Sequence, residues 1–102
     1  MNTTNIEQAH AGFIVLQTLT KSQTAIMTLQ PGEWSGGFGN EHPESEQTLL
    51  VFEGEVVAEI GEERTVLRRG DVVVVPRKVP HRFGNDSDSP AITFNVYAPP
   101  AY

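Results

Sequence analysis

The stretch Asn40-Glu41-His42-Pro43-Glu44-Ser45-Glu46-Gln47-Thr48-Leu49-Leu50-Val51-Phe52-Glu53-Gly54 decides how the rest of the chain is read. It sets two side chains able to ligate a metal, His42 and Gln47, just ahead of an apolar run that stops at a glycine. Thr48 to Phe52 is β-branched, aliphatic and aromatic, which predicts a strand. Gly54-Glu55 then turns the chain into a second strand over Val56 to Ile60. His42 therefore stands where a strand emerges from a loop, the kind of rigid edge on which sites are built. The histidine that matters next is His81, far along the chain in Pro80-His81-Arg82-Phe83-Gly84-Asn85. Whether the two imidazoles meet in space decides what the protein can do.

Outward from that stretch the pattern stays β. Phe13 to Leu19 and Ala25 to Leu29 flank a polar segment and read as a hairpin. Thr65 to Leu67, Val72 to Val75 and Ile92 to Tyr97 are further strands, and Arg82 to Gly84 leaves a loop bracketed by Pro76 and Pro80. The last strand alternates, with Ile92, Phe94 and Val96 on one face and Thr93, Asn95 and Tyr97 on the other. No segment keeps a 3.6-residue period with caps, so helices are expected to be nearly absent. Many short strands at intervals of about 8 to 12 residues predict an all-β fold, a small antiparallel β-barrel or jelly roll.

At 102 residues the chain is expected to form a single domain over 1–102, with residues 1–10 a loose arm in which His10 is a solvated side chain. The charge of -6 opposes nucleic acid and anionic lipid as partners. No membrane-length apolar run and no secretory leader are evident, which makes the cytoplasm the expected location. Cysteine is absent, so any metal must be held by nitrogen and oxygen. Both faces of Gln47 to Phe52 and of Val72 to Val75 are apolar. If Gln47, Leu49 and Val51 face inward, Leu50 and Phe52 face out and need cover, either from a second copy in a homodimer or from the N-terminal strand.

Two cassettes emerge when the spacings are counted. Asn40 and His42 are one residue apart, four residues separate His42 from Gln47, and six more precede Gly54. Farther on, Gly70 is followed by five residues and Pro76, with His81 five after that and Asn85 four further on. The arrangement resembles the cupin superfamily, whose motifs run G-x5-H-x-H-x3-4-E-x6-G and G-x5-P-x-G-x2-H-x3-N. That resemblance implies a double-stranded β-helix with a central metal, held in the family by three histidines and a glutamate. Here Asn40 replaces the first histidine, Gln47 the glutamate, Lys78 the second motif's inner glycine and Trp34 the first motif's opening glycine.

Three readings of the pocket follow. His42, Gln47, His81 and Asn40 hold a divalent transition metal (Zn, Ni, Fe or Cu); or they hydrogen-bond a small polar molecule, a sugar or organic acid, without metal; or they satisfy one another. Glu44 and Glu46 are candidates for a missing carboxylate but sit in a stretch that reads as a solvated loop. With a cation the resemblance is compatible with a dioxygenase or isomerase; without one, with a binding module. Trp34 and Phe38 either close over the barrel mouth or anchor their glycine-rich loop, and Thr93, Asn95 and Tyr97 either line the cavity or face solvent. The Pro-rich carboxy-terminal tail is suited to lying against a neighbour.

Overall fold

A computed structural model describes residues 1–8, 11–39 and 42–102. Strands β1 (Phe13–Thr18), β2 (Gln23–Leu29), β3 (Glu46–Glu53), β4 (Glu55–Ile60), β5 (Glu63–Arg68), β6 (Val72–Val75), β7 (His81–Gly84) and β8 (Ala91–Ala98) account for nearly all regular structure. A short 3-10 turn, Ile6–Gln8, is the helical element among the described residues. The strands form two antiparallel sheets, one ordered β1-β2-β8-β3-β6 and the other β5-β4-β7. This is the small all-β jelly roll that the spacing predicts.

The chain changes sheets at the end of β3. A bulge between Val51 and Glu53 interrupts the ladder with β8, and Gly54 follows with φ of 82°. A Cβ built on Gly54 would lie 2.6 Å from the carbonyl oxygen of Pro90, so only glycine fits this corner. Beyond it, β4 runs in the facing sheet. Leu49, Val51, Met27 and Ala91 from the larger sheet then pack against Val56, Ala58, Leu67 and Phe83 from the smaller one.

Strand β8 runs up the centre of the larger sheet between β2 and β3. Its polar face is the inward one. Thr93, Asn95 and Tyr97 are buried, whereas Ile92, Phe94 and Val96 lie half-buried on the outside. Pairing Met27 with Thr93 and Ala25 with Asn95 fixes this register, and a slip of one residue would reverse it.

On the outer face Val72, Leu50, Phe94, Ile26 and Ile14 are consecutive cross-strand partners and form one apolar row. Ile26 is fully covered, but Val72 is 60% exposed at the β6 edge and Val74 beside it 61%. Strand β1 bonds to β2 at the opposite edge of the sheet, so the N-terminal strand is not the cover for Leu50 and Phe52. The N-terminal arm is tethered where it is described, Gln17 Nε2 donating to the Asn2 carbonyl at 2.7 Å; His10 lies outside the described residues.

The carboxy-terminal tail also departs from expectation, folding back on its own chain. The side-chain amide of buried Gln23 accepts from the backbone N–H groups of Ala101 and Tyr102 at 3.1 and 3.0 Å and donates to the Tyr102 carbonyl at 2.7 Å. A planar amide that can accept and donate at once completes the tail as another strand residue would.

Candidate functional site

His42 precedes β3 in a turn closed by Ser45 N–H donating to the His42 carbonyl at 3.0 Å. The Ser45 hydroxyl donates in turn to the Pro99 carbonyl at 2.6 Å, which ties the turn to the tail. Gln47 is the first inward residue of β3, facing Tyr97 on one side and Val75 on the other. His81 opens β7, where it bridges to Gly39 through paired backbone hydrogen bonds. All three side chains are buried.

They meet. His42 Nε2 lies 2.9 Å from His81 Nε2 and 3.0 Å from Gln47 Oε1. The roles within this cluster follow from the groups outside it. Thr93 Oγ1 donates to the Met27 carbonyl at 3.2 Å, so it accepts from Asn95 Nδ2 at 3.0 Å. Asn95 Oδ1 then accepts from Gln47 Nε2 at 2.9 Å, which turns Gln47 Oε1 toward His42. On the other side His81 Nδ1–H donates to the Val79 carbonyl at 2.9 Å, leaving Nε2 of the neutral ring as an acceptor. Two lone pairs, on Gln47 Oε1 and His81 Nε2, are thus aimed at one spot by backbone carbonyls on opposite sides. In the metal-free network a proton on His42 Nε2 serves both.

The cluster lines a cavity of about 330 Å³ together with aromatic and aliphatic side chains and with Thr28, Glu33 and Ser35. Tyr97, Tyr102 and Phe13 pack mutually, with centroids 5.1 Å apart for the two tyrosines and 4.7 Å for Phe13 and Tyr102. Tyr97 also meets the His42 ring edge-on at 5.1 Å. Trp34, in the segment between β2 and β3, bridges to Gly84 of the smaller sheet and lies under the Arg82 guanidinium, 4.2 Å from the ring centroid. Trp34 is therefore both anchor and wall. Arg82 is itself held by Glu59, Nε to Oε1 at 2.7 Å, and that hydrogen bond, partly opposed by desolvation, holds the Glu59 carboxyl below its usual range.

Of the expected site residues, His42, Gln47 and His81 come together, and Asn40 lies outside the described residues. Glu44 faces Arg77 and Lys78 at 3.9 and 3.8 Å on the surface, and Glu46 is exposed. Asn85 serves the loop before β8 instead, its amide donating to the Leu29 and Ser89 carbonyls. Thr93 and Asn95 line up behind Gln47, a role foreshadowed by their polar alternation in β8. Nothing in the sequence marks Tyr102, because only the folded tail, held by Gln23, brings it to the cavity.

A model of the cupin domain family matches residues 25–97. No curated protein matches the chain. Among solved structures, the TT1209 protein of Thermus thermophilus is 27% identical, with 97% of this chain and 98% of that one covered and a TM-score of 0.84. The BH2720 protein of Bacillus halodurans is 25% identical over 98% of this chain and 82% of its own, with a TM-score of 0.87. A sugar phosphate isomerase of the cupin superfamily from Silicibacter pomeroyi is alike in fold, at 24% identity, 85% and 59% coverage and a TM-score of 0.72.

Proposed function

This chain belongs to the cupin domain family, and on that premise we propose that its cavity binds a small polar molecule beside a divalent transition metal held by His42, His81 and Gln47. The convergence of His81 Nε2 and Gln47 Oε1 on His42 Nε2, at 2.9 and 3.0 Å, carries this reading. Two imidazole nitrogens and an amide oxygen fit zinc, nickel, iron or copper, and fit poorly with magnesium or calcium, which take oxygen ligands. His81 has the second contact expected of a ligand, its Nδ1–H on a backbone carbonyl.

The donor set also sets the strength of binding. Among the described residues no three His, Cys, Asp or Glu side chains gather, so the three donors bring no negative charge to a cation. Placing His42 Nε2 on a metal moves the neutral ring's proton to Nδ1, which is buried with no partner among the described residues. Weak, exchangeable metal binding is expected. When bound, the cation would act as a Lewis acid toward an oxygen of the ligand. Untagged protein titrated calorimetrically with Zn, Ni, Cu and Fe(II) tests this; no saturable heat for any of them would remove the metal.

A metal-free reading has its own support: one proton on His42 Nε2 satisfies both aimed lone pairs without a cation. In that case the same cluster hydrogen-bonds the small molecule directly. We also propose that a second copy of the chain covers the row ending at Val72, since the row is continuous, apolar and most exposed at the β6 edge.

A further inference from the structure

We infer that the cavity takes an uncharged molecule built on one flat aromatic ring, with a hydroxyl group directed at the His42, Gln47 and His81 end. The inference rests on reading this cavity as a ligand site in its metal-free state, because a bound cation would itself pair with a carboxylate or phosphate.

The walls carry the argument. Phe13, Tyr97 and Tyr102 come from the larger sheet and its tail, while Trp34 and Phe83 come from the side of the smaller sheet. Five of the eight aromatic residues of the chain thus converge on one small space. The Phe13, Tyr97 and Tyr102 rings are tilted by 54° to 78° to one another and offer both faces and edges, the two surfaces an aromatic guest packs against. A polyol would set some hydroxyls within reach of Thr28 and Ser35 but others against Met27, Leu29 and Phe83, where each unpaired polar group costs binding energy. The volume of about 330 Å³ stands at the small end of ligand cavities, which suits one ring with short substituents.

Charge narrows the class further. No lysine or arginine is among the described lining residues, and the carboxylate of Glu33 lies at the rim. A phosphate or carboxylate would enter without a cationic side chain to pair with, so the fold shared with a sugar phosphate isomerase does not extend to a phosphate clamp here. Tyr102 is pinned by Gln23 through its backbone, and its ring packs against Phe13 and Tyr97 in the cavity wall.

The chain has one tryptophan and it lines the cavity, so its emission reports occupancy. Full-length protein dialysed against EDTA is titrated with 4-hydroxybenzyl alcohol, 4-hydroxybenzoate, cyclohexanol, glucose and glucose 6-phosphate. NMR of the His42 and His81 ring protons serves as a second readout. Saturable shifts in both signals are expected for 4-hydroxybenzyl alcohol, with at least tenfold weaker responses for the other four. Tyr102→Leu, which keeps bulk but not the flat face, is expected to weaken the alcohol roughly three- to tenfold at unchanged melting temperature. Binding of glucose 6-phosphate or 4-hydroxybenzoate at the histidines with equal or greater affinity would overturn the ligand class and leave the site standing. Silence from every probe in both readouts would overturn the class together with the site.

Discussion

The indole of Trp34 lies against the bare backbone of Gly84, so close that a Cβ at residue 84 would sit 2.3 Å from its Cδ2 atom. Arg82, two residues earlier on β7, lies over the Trp34 ring, and Glu59 on β4 holds that arginine. One wall of the cavity is therefore positioned by a missing side chain and a cation. Gly84→Ala is expected to displace the indole, destabilising the protein by about 1–3 kcal/mol and shifting tryptophan emission to the red. An unchanged emission maximum, read with a urea melt, would contradict this packing.

Glu59 gives the same brace a pH dependence. Its folded pKa is depressed, first by the hydrogen bond from Arg82 and with the charges of Arg82 and Arg64 assisting. A depressed carboxylate contributes stability that is complete above its unfolded pKa and is lost as pH falls through the folded value. The difference in urea midpoint between wild type and Glu59→Gln is therefore expected at pH 7 and should shrink toward pH 3. A difference that stays constant across this range would show that ionisation of Glu59 is not what stabilises the brace.

Gln47 is where the donor set lacks a charge. Gln47→Glu supplies the carboxylate and is expected to raise zinc affinity roughly ten- to hundredfold. Gln47→Leu, which removes the oxygen, should lower it. Calorimetric titration of the three proteins checks the order, and equal affinities would exclude residue 47 from the metal site. In the absence of metal Gln47→Glu is expected to be less stable, because Asn95 Oδ1 loses the donor it now accepts from.

Lys78 has φ of 67°, in the left-handed region, at the position where the cupin motif has glycine. A lysine there carries a steric cost of about 1 kcal/mol that glycine avoids. Its ammonium lies 3.8 Å from an exposed Glu44, an ion pair that contributes little. Lys78→Gly is therefore expected to be neutral to slightly stabilising, by at most about 1 kcal/mol, in chemical denaturation. Clear destabilisation would mean that the ion pair outweighs the backbone strain.

Val74→Asp places a charge beside the open end of the outer apolar row without touching the cavity. If a second copy covers that row, light scattering should show a dimer for wild type and a monomer for the variant at equal concentration. Monomeric wild type at about 100 μM, a typical concentration for a weak homodimer to persist, would remove the proposed dimer.

Composition and spacing by themselves determined the class of fold, the positions of the strands and the pair His42 and His81. These follow from local rules: β-branched runs extend, glycine at 54 admits the corner, and the cassettes place the imidazoles at corresponding strand ends. The tertiary structure alone decided which face of β8 is inside. Alternation gives two faces with equal weight, and only the ladder with Met27 and Ala25 turned Thr93 and Asn95 toward Gln47. It alone also brought Tyr102 to the cavity through Gln23, because hydrogen bonds between residues 79 positions apart leave no local pattern in a sequence.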